Sequence, residues 1–112
     1  MADIAAIRAK VLAGEWELSR HALDQCLRRV IRASDLSECL LGGEIIECYP
    51  DDKYGPSCLV LGSTSGGRIL HVHCSDETRP LLKIVTAYEP DQRRWREHRF
   101  RKHPAKGGSD GD

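Results

Sequence analysis

Five side chains in this sequence have types and settings suited to acid–base chemistry and phosphate contact: His21, Glu47, Arg68, His71 and Tyr88. His21 stands two residues after Ser19, in what reads as the first turn of a helix. The positive end of a helix dipole favours a neutral imidazole, the form that accepts a proton as a general base must. The simpler alternative is a histidine that helps to cap its helix. His71 opens the run His71-Val72-His73-Cys74, and residues i and i+2 of a strand point to the same side. Two imidazoles on one face, with His21 or Cys58 near, have the donor types for zinc. Cys74 points to the other face, however, and no carboxylate lies at ligand spacing, so no metal is expected. His71 reads instead as an acid–base or phosphate-contacting group, with His73 as its neighbour.

Arg68 follows a Gly-rich turn, from which a guanidinium can grip a phosphate through two hydrogen bonds or simply solvate a hairpin end. Glu47 is expected either at a strand rim or as the partner that orients His21, and in a core it would need an arginine or histidine to meet it. Tyr88 ends an apolar strand and offers a hydroxyl to donate. A phosphate-binding glycine loop, a nucleophile elbow and a dinucleotide fingerprint are all missing from the sequence, so no cofactor is expected.

The elements that must position these groups change period along the chain. Ile4, Ile7, Val11 and Leu12 form one helical face between Asp3 and Gly14. Ser19 caps a second helix with Ala22, Leu23, Cys26, Leu27 and Val30 as its apolar stripe. A shorter third helix begins at Ser34-Asp35, buries Leu36, Cys39 and Leu40, and stops at Gly42-Gly43. Strand-like runs follow at Glu44 to Tyr49, Ser57 to Gly62, Ile69 to Cys74 and Leu81 to Tyr88, separated by turn residues. Gaps this short exclude parallel crossovers. The expectation is an α+β domain with two or three N-terminal helices packed on a four-stranded antiparallel meander. A two-residue turn at Gly66-Gly67 would set Leu61 opposite Val72 and Val60 opposite His73; the longer hairpin would set Glu47 opposite Leu59 and Cys48 opposite Cys58. Ile45, Leu59, Leu61, Leu70, Val72 and Ile84 would then face the core, and Cys48, Cys58, Gly62, His71, His73 and Lys83 the other side.

At 112 residues the chain has room for one core, placed over 1–95, and the balance of 17 Lys+Arg against 17 Asp+Glu with 40% apolar residues is that of a globular domain. Charge is unevenly spread. Arg93, Arg94, Arg96, Arg99, Arg101 and Lys102 crowd a basic stretch, so residues 96–112 are expected as a flexible tail that meets an anion such as RNA. Trp95 among these arginines reads as a cover for the helices rather than a base-stacking platform. Five cysteines without a Cys-x-x-Cys pair suit buried, reduced thiols. No run is long enough to span a membrane and no secretory signal opens the chain, so a cytoplasmic location is expected.

Ser19-Arg20-His21-Ala22, Ile45 to Pro50, Pro56 to Gly62, Arg68 to Val72 and Thr86 to Pro90 occur in this order. As a set they resemble a bacterial family catalogued as Domain of Unknown Function 4258, over roughly residues 15–95. That family is similar to the RelE/ParE-like toxins, and its members often neighbour a small zinc-finger protein of antitoxin type. Two departures stand out: Cys26 takes the place of an expected methionine before Arg29, and His73 lies outside the pattern. The resemblance implies a toxin-like, metal-independent endoribonuclease of a toxin–antitoxin pair, in which His21 or His71 would supply base and acid, Arg68 positive charge beside the phosphorane, Tyr88 a hydrogen bond, and Glu47 the orientation of a histidine. A non-catalytic module that binds a zinc-finger-type partner is the alternative, and a metal site at His71 and His73 the weakest reading.

Overall fold

The computed structural model describes residues 2–102. Three helices, α1 (Ile4–Leu12), α2 (Arg20–Arg29) and α3 (Ala33–Gly42), precede most of the strands. The strands are β1 (Trp16–Leu18), β2 (Glu44–Tyr49), β3 (Ser57–Ser63), β4 (Ile69–Ser75), β5 (Leu82–Tyr88), β6 (Trp95–Arg96) and β7 (Phe100–Arg101). Local chemistry accounts for the helix starts. The Asp3 carboxylate accepts from Ala5 N–H at 3.0 Å, and Ser19 Oγ accepts from Ala22 N–H at 3.0 Å. Asp35 accepts from Arg32 N–H at 2.9 Å, so α3 begins one residue ahead of the expected Ser34-Asp35 start, with Asp35 inside its first turn.

The expected four-stranded antiparallel meander is corrected. The sheet has five strands in the order β1-β5-β4-β3-β2, and it is mixed because β1 runs parallel to β5. Three residues carry too little periodicity to announce a strand, and Trp16–Leu18 lies between two helices rather than among the other strands. Because α2 and α3 intervene, β1 can return to the far edge beside β5, which the short later gaps do not allow.

The β2–β3 register is the expected one, with Glu47 opposite Leu59 and Cys48 opposite Cys58. The β3–β4 register differs by one residue, pairing Val60 with Val72 and Leu61 with His71. The cause is the turn. Thr64 N–H donates to Arg68 C=O at 2.9 Å and Gly67 N–H returns to Thr64 C=O at 3.0 Å, with Gly67 at φ 87°, so the loop is longer than two residues. The slip moves Leu59 and Leu61 off the helix-facing side and brings Cys58 and Val60 onto it. The core between helices and sheet contains Ile7, Ala22, Leu36, Cys39, Leu40, Val60, Leu70, Val72, Leu82 and Ile84. A second, smaller cluster on the opposite face joins Tyr49, Leu59 and Trp95, with Ile46 against it.

Trp95 therefore covers the sheet face away from the helices. Arg96 to Arg101, read from the sequence as the start of a tail, instead form a hairpin with Trp95 opposite Arg101. Residues 103–112, the remainder of that expected tail, lie outside the described residues.

Helix α3 rides very close to the sheet. A Cβ on Gly62 would lie 2.3 Å from the Cys39 carbonyl oxygen, and one on Gly43 would lie 2.4 Å from the same atom. Backbone cannot yield as a flexible side chain can. Gly62→Ala is expected to cost about 2–4 kcal/mol in urea unfolding. Gly66→Ala, whose nearest neighbour would be Thr64 Oγ1 at 3.7 Å, should change stability by less than about 0.5 kcal/mol.

Candidate active site

With the helices packed on one side, the other side of the sheet is left to other contacts. Along β4 the side chains of Leu70, Val72 and Cys74 enter the core, while His71, His73 and Ser75 point outward. Two different environments divide that outward face.

At one end lies an open pocket of about 700 Å³ whose lining includes Ser19, His21, Asp52, Ser57, His73, Ser75, Arg79 and Lys83. Ser19 brings α2 to it: Ser19 N–H donates to Ile84 C=O at 2.9 Å, and Ser19 Oγ donates to Val85 C=O at 3.1 Å. His21, in the first turn of α2, is thereby held at the pocket wall, exposed to solvent. A bulge places Val85 between the pairs His73–Thr86 and Cys74–Ile84. Such an extra residue re-aims its neighbours, and Lys83 and Val85 both line the pocket. The β4–β5 turn is fixed by Asp76 N–H donating to Pro56 C=O at 3.1 Å and Lys83 N–H donating to Ser75 Oγ at 2.9 Å.

His73 forms part of the pocket lining although its side chain is only 4% exposed. Ser57 donates its hydroxyl proton to Asp52 at 2.5 Å, so Ser57 Oγ accepts from His73 Nε2–H at 2.8 Å. Asp52 Oδ2 is also 3.5 Å from that nitrogen. The carboxylate holds the serine proton rather than steering the far ring nitrogen, which differs from a nucleophilic triad. His73 Nδ1 and Thr86 Oγ1 are buried with no hydrogen-bond partner among the described residues. Burial pushes the His73 pKa down, and the Asp52 charge and hydrogen bond oppose that shift.

His71 has a different fate. Its ring is fully buried, packed edge-on against Trp95 with centroids 4.4 Å apart, and against Tyr88 at 5.3 Å. A carbonyl can only accept, so His71 Nε2–H donates to His98 C=O, and Nδ1 accepts from the Tyr88 hydroxyl at 3.2 Å. Burial pushes the His71 pKa down to about 4, against the opposing His98 hydrogen bond and the Glu47 charge. Glu47 does not orient His21. It accepts from the Tyr49 hydroxyl and from Arg101 at 2.9 and 3.3 Å. The arginine that a half-buried Glu47 was expected to need thus comes from the basic stretch.

Arg68 sits at another corner. It donates to the carbonyls of Val30 at 2.6 Å and Arg29 at 3.1 Å, and to Glu89 at 3.0 Å. Val30 is left-handed at φ 54°, so Arg68 closes the C-terminus of α2 and ties it to the end of β5. His21 and His71 thus lie in different environments, and Arg68 is committed to backbone. The residue that shares a pocket with His21 is His73, which sequence reasoning had left as a neighbour. Lys83 showed as the charged alternate of an apolar strand, but Asp52, Ser57 and Arg79 gave no periodic signal.

The basic stretch divides too. Arg93 pairs with Asp91 at 2.9 Å, Arg99 with Glu44, and Arg101 with Glu47, whereas Arg94, Arg96 and Lys102 are exposed. Among the described residues no group of three or more His, Cys, Asp or Glu is placed to hold a metal. Cys26, Cys39, Cys58 and Cys74 are free and buried, and Cys48 is free and exposed. No helix of the described residues is long and apolar enough to cross a membrane.

Fold and pocket together define a small α+β domain that bears a cationic, histidine-lined cleft opposite its helices. The chain belongs to the family described as Domain of unknown function (DUF4258), which matches residues 18–89. That span holds every pocket residue and excludes both α1 and the C-terminal hairpin. No curated protein and no solved structure matches the chain.

The His71 environment predicts a pH dependence of stability. Its folded pKa, about 4, lies below the ordinary 6.5, so on acidification the unfolded chain takes up the proton first. The stabilisation is complete above about pH 6.5 and is lost as pH falls toward about 4, to a total of about 3 kcal/mol. His73, lowered in the same direction, adds to it. Urea unfolding near pH 7 and near pH 4.5 should show the loss, and His71→Gln should flatten much of the slope.

Proposed function

We propose that this protein is a toxin-like, metal-independent endoribonuclease, with its acid–base pair at His21 and His73 rather than His21 and His71. The observation that carries the reading is that both imidazoles line one pocket together with Arg79 and Lys83. His21, exposed at the wall, takes the proton of the RNA 2′-hydroxyl. The freed oxygen attacks phosphorus, and the P–O5′ bond breaks to leave a 2′,3′-cyclic phosphate. The departing 5′-oxygen receives the Ser57 Oγ proton, which leaves its hydrogen bond to Asp52, and His73 Nε2–H replaces it on the serine. An incoming phosphate supports that role, because its charge joins Asp52 in favouring the imidazolium that burial disfavours. Lys83 and Arg79 stabilise the extra charge of the phosphorane.

Exposed Arg94, Arg96 and Lys102 provide sequence-independent grip on the RNA backbone, which weakens as salt rises. The resemblance to RelE/ParE-like toxins supports the same class and brings with it an antitoxin-like protein partner. The free thiols suit a reducing, cytoplasmic setting. One feature favours a second reading, a non-catalytic interaction module. Leu23, Leu27 and Val30 are exposed at helical spacing along an apolar groove of about 380 Å³ that Leu18, Ile31 and Leu36 complete.

The purified protein is expected to cleave single-stranded RNA to 2′,3′-cyclic phosphate ends, unaffected by EDTA. His21→Ala and His73→Ala should each slow cleavage by about 10²–10⁴-fold, with the circular dichroism of the folded domain retained. Wild type that neither cuts RNA nor arrests growth, or alanine variants that cut at full rate, would overturn the proposal. Partner capture in the absence of any cleavage would favour the module.

A further inference from the structure

The pocket uses one of two outward histidines of β4; the other is sealed by chain that lies outside the family match. We infer that the C-terminal hairpin is a displaceable cover, and that a polyanionic strand bound at the pocket releases it and adds His71 to the site. The inference rests on the ribonuclease reading for the identity of the strand, but not for the cover itself.

The hairpin closes over His71 through side chains. Trp95 packs edge-on against the ring, His98 C=O accepts from Nε2–H, and Arg101 stacks 4.5 Å from the Trp95 ring centre while bound to Glu47. Arg99 pairs with Glu44. Strands β6 and β7 form a sheet of their own, so lifting them breaks no rung of the five-stranded ladder. A two-stranded hairpin of this length has little stability alone. Its tip is strained as well: Glu97 and His98, neither of them glycine, sit at φ 55° and 65°. The cover therefore depends on what it touches.

Those contacts are the kind that a nucleic acid contests. Glu44 and Glu47 are the anchors on the sheet, and Arg99 and Arg101 the anchors on the hairpin. A phosphodiester strand competes with the two carboxylates for the two guanidiniums, and it repels the carboxylates once they are freed. His71 and His73 stand about 7 Å apart along the strand, the reach of one nucleotide. Opening would thus place a second proton-handling group, with the Tyr88 hydroxyl on its ring, beside the first.

The test follows Trp95 in the full chain on a Trp16→Phe background, leaving one tryptophan, with a 2′-O-methyl oligoribonucleotide that binds but cannot be cut. Binding should shift Trp95 emission to the red and raise its acrylamide quenching toward that of an exposed indole. Glu47→Gln should do the same without the oligonucleotide. Arg101→Gln supplies the same lesion from the other side should Glu47→Gln fail to fold. If the oligonucleotide binds by anisotropy while Trp95 stays shielded, the release is wrong even though the RNA reading stands. If it does not bind while Glu47→Gln exposes Trp95, the RNA reading fails and the cover is supported. Shielding of Trp95 in both variants overturns the cover.

Discussion

Everything on the side of the sheet away from the helices depends on the pleat of β4. That strand runs through the middle of the sheet between β3 and β5, so its inward side chains must fit the helices and its outward ones must find another solution. Leu70, Val72 and Cys74 take the first role and His71, His73 and Ser75 the second. An imidazole in the middle of a sheet cannot reach bulk water by bending away as an edge residue can. Each must be hydrogen-bonded in place or remain costly to bury. The two histidines meet that demand differently, and the division between a closed half and an open half of the face is the result.

On the closed half the demand is met by borrowing from the chain terminus. His71 has both ring nitrogens bonded, to Tyr88 and His98, and lies beneath Trp95. On the open half the partners of His73 are Asp52 from the β2–β3 connection and Ser57 at the start of β3, while the β4–β5 turn adds Arg79 to the pocket lining. The bulge at Val85 turns β5 toward that half and brings Lys83 with it. Positive charge is likewise apportioned. Arg99 and Arg101 compensate sheet carboxylates, Arg68 secures the end of α2, and Arg79 and Lys83 are the guanidinium and ammonium that line the pocket.

Much of the helical half was legible because its signals are local. Caps at Asp3 and Ser19 act within a few residues, and the stripe of Ala22 and Cys26 repeats at helical period. The β2–β3 register was legible for a similar reason, since the flanking runs fix the pairing of Cys48 with Cys58. The β3–β4 register was not, because a turn closed by Thr64 and Arg68 resembles a two-residue glycine turn in sequence. Strand β1 was missed because its partner β5 is more than sixty residues away, and no local period records that pairing.

The sequence by itself determined that His71 and His73 share a face, because strand alternation needs nothing beyond the strand. It also set the basic character of the stretch after residue 92. The tertiary structure alone decided which histidine lines the pocket beside His21 and which is roofed by Trp95. It alone converted Arg68 from a free cation into a clasp on helix carbonyls, and part of a basic stretch into a hairpin packed over His71. The physical reason is range: alternation and capping act over a few residues, whereas burial and charge pairing depend on segments that meet only when the chain has folded.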